Sequence, residues 1–110
     1  MLVAAMSRKL NEGVDYAEFR KAWIPAAEDV FPDDPRTRVI SAVNVEDPRE
    51  LLTIALIPDA TVDDIPVWME RLAPVEERRH ERIKHMVGEP TLNAVYQVVG
   101  DDDLSRPIAE

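Results

Sequence analysis

Hydrophobic positions along this chain fall into six segments with two different rhythms. Leu2-Val3-Ala4-Ala5-Met6 is a short continuous apolar run, read most simply as a buried strand. The chain then turns polar from Arg8 to Gly13, which predicts a loop. Asp15 with Glu18 three residues later is a variant of the capping box, and Tyr16, Phe19, Trp23 and Ala26 follow at helical spacing. Pro25 lacks an N–H and clashes with the preceding turn, so a break is expected there, with irregular chain through Phe31-Pro32-Asp33-Asp34-Pro35.

Thr37 to Val45 and Glu50 to Ile57 read as strands, and Asp47-Pro48-Arg49 between them predicts an antiparallel hairpin. Thr61 is a plausible cap for a second helix, with Asp63 and Asp64 favourable near its N-terminus and Pro66 in its first turn. Ile65, Trp68, Met69 and Leu72 supply its apolar side. Pro74 predicts a second interruption, dividing this helix into two segments. The later one, from about Pro74 to Val87, carries Val75, Ile83, Met86 and Val87 and stops at Gly88. Leu92 to Val99 is the last strand.

The resulting order is βαββαβ, and its strands are apolar on both faces. Val39, Val43 and Val45 oppose Ile40 and Ala42, while Leu52, Ile54 and Leu56 oppose Leu51, Ala55 and Ile57. A sheet with one solvated face would alternate apolar with polar far more cleanly. Two helices cover one face of a four-stranded sheet. The surplus therefore predicts a partner surface, most simply a homodimer formed through the sheet face. Residues 1–100 are expected to form one domain and residues 101–110 an acidic tail.

Composition narrows the chemistry. A net charge of −9 argues against nucleic acid and anionic membrane as partners, because neutralising phosphates needs a basic surface. The absence of cysteine removes disulfides, thiolate zinc sites and cysteine nucleophiles. His80 and His85 are the only histidines, which leaves a metal few ligands. No P-loop, dinucleotide-binding glycine motif or serine-nucleophile elbow is present, so no cofactor is expected. Met1 to Met6 is too short for a signal peptide or a spanning helix, and a cytoplasmic location is the expectation.

The βαββαβ order resembles the ferredoxin-like split β-α-β motif, with an antiparallel sheet and two kinked helices on one face. With both sheet faces apolar, the chain is similar to the dimeric α/β-barrel superfamily. Its local sequence looks closest to the EthD-like and antibiotic-biosynthesis-monooxygenase-type domains. The EthD-like pattern carries a basic residue, a short loop with glycine, then acidic-acidic-Phe-x-x-x-Trp. Arg8-Lys9, Gly13, Glu18-Phe19 and Trp23 follow it here. The histidine that commonly comes after that tryptophan is replaced by Ile24-Pro25-Ala26-Ala27. Haem-degrading members of the superfamily combine a first-strand asparagine with a tryptophan and a helical histidine; the first strand here has no asparagine.

At about 100° per residue, Arg79 falls near the centre of the apolar arc that runs from Val75 to Val87, His80 at its edge, and His85 towards solvent. The resemblance implies a ligand cavity between sheet and helices, which makes His80 the candidate catalytic residue. Trp23, Trp68, Arg79 and Tyr96 are the candidate substrate-binding residues. His80 would exchange a proton near neutral pH and Arg79 would pair with a carboxylate or enolate. Bland alternatives stand beside these: a half-buried His80 without a role, and an Arg79 that snorkels or pairs with Glu76. The run from Glu76 to Arg82 mixes charges as a solvated helix face does. Two functions follow. One is a cofactor-independent monooxygenase or isomerase acting on an apolar oxygenated small molecule. The other is a non-catalytic ligand-binding or stress-related homodimer.

Overall fold

The computed structural model describes residues 1–24 and 34–107. The expected irregular stretch after Pro25 lies largely outside them. Elements follow the order β1 (Leu2–Lys9), α1 (Tyr16–Trp23), β2 (Arg38–Val43), β3 (Glu50–Ile57), α2 (Ile65–Ile83) and β4 (Leu92–Gln97). The four strands form one antiparallel sheet in the order β2-β3-β1-β4. This is the ferredoxin-like fold.

Pairing register assigns the faces. Leu2, Ala4, Met6 and Arg8 of β1 stand opposite Ile57, Ala55, Thr53 and Leu51 of β3, and these positions face the helices. Val3, Ala5, Ile54, Leu56, Ile40, Leu92 and Tyr96 share the other face, which no described element covers.

The densest core lies at one end of the sheet, where Leu10, Phe19, Leu51, Ile83 and Val87 meet. Phe19 is 0% exposed and sits in the middle of α1. The cap of α1 forms as the sequence predicts: Glu18 N–H donates to Asp15 Oδ1 at 2.9 Å. Gly13 takes φ of +84°, a left-handed turn that a side chain would strain, and so brings the chain from β1 into that cap.

Beyond the shorter ends of β2, at Val43 and not Val45, and of β4, at Gln97 and not Val99, three differences from the sequence reading bear on the site. First, β1 does not end at Met6 but continues to Lys9, because β3 pairs along its whole length and Leu10 N–H donates to Arg49 C=O at 2.7 Å. Second, α2 runs unbroken through Pro74. Proline removes one rung of the ladder, which frees the carbonyl of Glu70, an exposed residue. Leu72 and Val75 are buried on either side of it and hold the helix in one piece. Third, α2 ends at Ile83 and not near Val87. The chain beyond it is recruited by the end of β1: Leu10 bridges Val87, and Gly88 N–H donates to Lys9 C=O at 2.9 Å.

The core at Phe19 is the structural keystone. Phe19→Ala should destabilise the fold by about 3–5 kcal/mol in urea unfolding, whereas Val45→Ala, at a position 99% exposed, should shift it by less than about 0.5 kcal/mol. Equal effects from the two substitutions would place the core elsewhere.

Candidate functional site

Four side chains from three elements form a continuous stack beneath the helices. Arg8 of β1 lies over the Phe19 ring at 5.1 Å, and Phe19 stacks on Trp23 with ring centres 5.7 Å apart and an interplanar angle of 20°. Arg79 of α2 lies over Trp23 at 5.5 Å. Phe19 and Trp23 share a face because they are four residues apart on α1. Arg79 reaches them because it projects from the buried stripe of α2, with Leu72, Val75 and Ile83.

A cavity of about 250 Å³ opens beside this stack, floored by Ala4, Met6, Thr53 and Ala55. Arg8, Arg36, Arg79 and Glu76 bring charge to it. Arg36 is fully engaged: Nε and Nη2 donate to Asp34 at 2.9 and 2.7 Å, and Nη1 donates to Glu76 Oε1 at 2.8 Å. Arg79 Nη1 donates to the same Glu76 oxygen at 3.1 Å.

Arg8 differs. It is 7% exposed, makes no hydrogen bond to any described residue, and its Nε is buried without a partner. Arg79 is equally buried, and its Nε also lacks a partner. Burial pushes the pKa of both below the ordinary arginine value, with Glu76 pulling each back up. Burial also acts against the charge of Arg36, but Asp34 and Glu76 outweigh it and raise its pKa. Asp34 is correspondingly held below the usual carboxylate range: burial opposes its ionisation, and the hydrogen bonds and charge of Arg36 prevail. Three guanidiniums thus face two carboxylates among the described residues, leaving one positive charge uncompensated beside an apolar floor.

A second cavity of about 410 Å³ adjoins the first and shares Ala4, Arg36 and Glu76 with it. Its remaining wall is apolar and includes Ile57, Ile65, Trp68, Met69, Leu72 and Val95.

The structure separates the candidates that the sequence grouped together. Trp23, Arg79 and His80 line the first cavity, with His80 an exposed residue at its rim. Trp68 belongs to the second. Tyr96 pairs with Val3 and faces the opposite side of the sheet, so it is removed from both cavities. Sequence reading assigned Arg8 to a loop and no role to Arg36. The signal for Arg8 was its phase: it continues the alternation Leu2, Ala4, Met6 on the inner face. Arg36 is placed by long-range packing against α2, which leaves no local trace. No group of three potential metal ligands occurs among the described residues, and no helix among them is long and apolar enough to cross a membrane.

Comparison with known proteins supports the fold. The chain is similar in structure to a candidate antibiotic biosynthesis monooxygenase from Deinococcus radiodurans. The TM-score is 0.65 at 12% sequence identity, covering 94% of this chain and 98% of the other. No protein-family model matches the sequence, and no curated protein matches it. At that identity the likeness defines an architecture, the ferredoxin-like fold.

An unpaired buried guanidinium costs stability, on the order of 1–3 kcal/mol. Arg8→Met keeps the length of the side chain and removes the charge. This variant is expected to unfold at higher denaturant than the wild-type protein; a clear loss of stability would show that the contact of Arg8 with the Phe19 ring outweighs the cost of burying its charge.

Proposed function

We propose that this protein binds a small, largely apolar, oxygenated molecule in the sheet–helix cavity and acts on it as a cofactor-independent monooxygenase or isomerase. The observation that carries this reading is the pairing of two buried guanidiniums, Arg8 and Arg79, with an apolar floor. Such an arrangement stabilises an anionic oxygen where little water competes for it. A substrate with an acidic C–H beside a carbonyl would lose that proton to His80 at the rim. Arg79, with Arg8 behind it, would hold the enolate oxygen that results. Return of the proton to another carbon completes an isomerisation. In the oxygenase case the enolate carbon takes up O₂ and a proton to give a hydroperoxide, which loses water to leave a new carbonyl. The kinship in fold with the Deinococcus protein supports this class without fixing the substrate.

Exposure of His80 favours a second reading, ligand binding without chemistry, since a general base in open contact with water has little to set its proton apart from solvent. An oxygen electrode and product analysis separate the two, using a panel of enolisable aromatic ketones. Turnover above the uncatalysed rate that falls at least tenfold in Arg79→Met supports the enzyme. Binding by calorimetry without turnover assigns the second reading, and neither binding nor turnover overturns both.

The uncovered face of the sheet supports a further part of this reading, a homodimer formed through that face. Ile54 sits between Ala5 and Ile40 near its centre. At micromolar concentration the protein is expected to sediment as a dimer, and Ile54→Asp as a monomer. A monomeric wild-type protein would exclude this assembly.

A further inference from the structure

We infer that the ligand is an amphipathic carboxylate, its head group held by Arg8 in the first cavity and its apolar tail lying in the second cavity beneath Trp68. The inference rests on the small-molecule reading above and names the substrate class of that same site.

The head group follows from the charges. A guanidinium presents parallel N–H donors at the spacing of a carboxylate's two oxygens. Arg8 lines the first cavity, and while its Nε is buried, its guanidinium donates to no described residue and is not committed to another group there. A single negative charge is indicated. Among the described residues lining the first cavity, Arg8, Arg36 and Arg79 face Glu76, and Asp34 is bound to Arg36, so these five groups carry one positive charge in excess. A dianion such as a phosphate monoester would set its second charge against Glu76.

The tail follows from shape. Sites for small molecules commonly occupy about 300–1,000 Å³, and the first cavity, at about 250 Å³, falls short of that range. The adjoining space of about 410 Å³ supplies the remainder and is walled almost wholly by apolar groups. The two are joined across Ala4, whose methyl group leaves the floor low where a larger side chain would divide it. Arg36 and Glu76 stand on the shared wall but donate and accept to each other and to Asp34, so a hydrocarbon chain passes them without stranding an unpaired charge.

Calorimetry on the full chain with butanoate, octanoate and octanol tests each part. Burial of methylenes is worth about fourfold in affinity for each. Octanoate is therefore expected to bind at least tenfold more tightly than butanoate, and at least tenfold more tightly than octanol. Arg8→Met should lose the preference of acid over alcohol while keeping its fold. Val95→Phe, at a position 43% exposed on the wall of the second cavity, should weaken octanoate at least tenfold and leave butanoate unchanged. Ala4→Leu, on the floor shared by the two cavities, should also weaken octanoate at least tenfold. Equal affinity for the two acids, or octanoate binding untouched by Val95→Phe and Ala4→Leu, overturns the tail. Octanoate binding untouched by Arg8→Met overturns the head group. If the carboxylates fail while enolisable ketones bind, this inference falls and the small-molecule reading stands; if nothing binds, the reading itself falls.

Discussion

Phe19 and Trp23 lie between two guanidiniums, and the geometry of the whole inner face depends on that sandwich. A cation over an aromatic face is attracted by the ring quadrupole, by about 0.5–2 kcal/mol according to how dry the site is. Two such contacts, linked by a ring stack, connect β1 to α1 and α1 to α2 through side chains alone. Because the rings belong to a helix of two turns, capped at Asp15 and ended at Trp23, neither can shift without moving the other. The stack fixes where Arg8 and Arg79 sit. It gives them a favourable contact that uses none of their hydrogen-bond donors, so Arg79 can still donate from Nη1 to Glu76 while the guanidinium of Arg8 donates to no described residue.

This arrangement divides the molecule lengthwise. At one end, Leu10, Leu51, Ile83 and Val87 close around Phe19, and the backbone of β1 is paired beyond its last strand residue. Towards the other end, small residues of β1 and β3, chiefly Ala4 and Ala55, leave space beneath α2. Stability is concentrated where packing is tight, and binding capacity where it is loose. The charged cluster lies at the boundary, where the rigid end positions it and the open end gives access to it.

How much of this was legible in the sequence depended on whether the signal was local. The order of elements, the Asp15 cap, the limits of β3 and the helix face that carries Arg79 all follow from spacing within a few residues, and the structure agrees. Errors arose where distant chain intervened. Arg8 looks like the start of a polar loop until pairing with β3 extends the strand beneath it. Pro74 looks like a helix breaker until buried neighbours on both sides are seen to hold the helix together. Tyr96 is a pocket candidate only through the cavity that the family resemblance implies, and its register with Val3 puts it on the opposite face. Arg36 and Asp34, which complete the charge balance, come from a connecting segment with no periodicity to read.

Continuity of α2 through Pro74 has a consequence for how the molecule fluctuates. Helical cooperativity passes along the hydrogen-bond ladder, and here one rung is missing, the one from position 74 to the Glu70 carbonyl. Opening that begins at Ile65 meets a natural stopping point before it reaches Arg79. The ladder thus falls into two stretches: the first walls the apolar cavity and the second carries the guanidinium. Such a division lets the roof over Trp68 and Leu72 breathe to admit a bulky molecule while the charged anchor keeps its place.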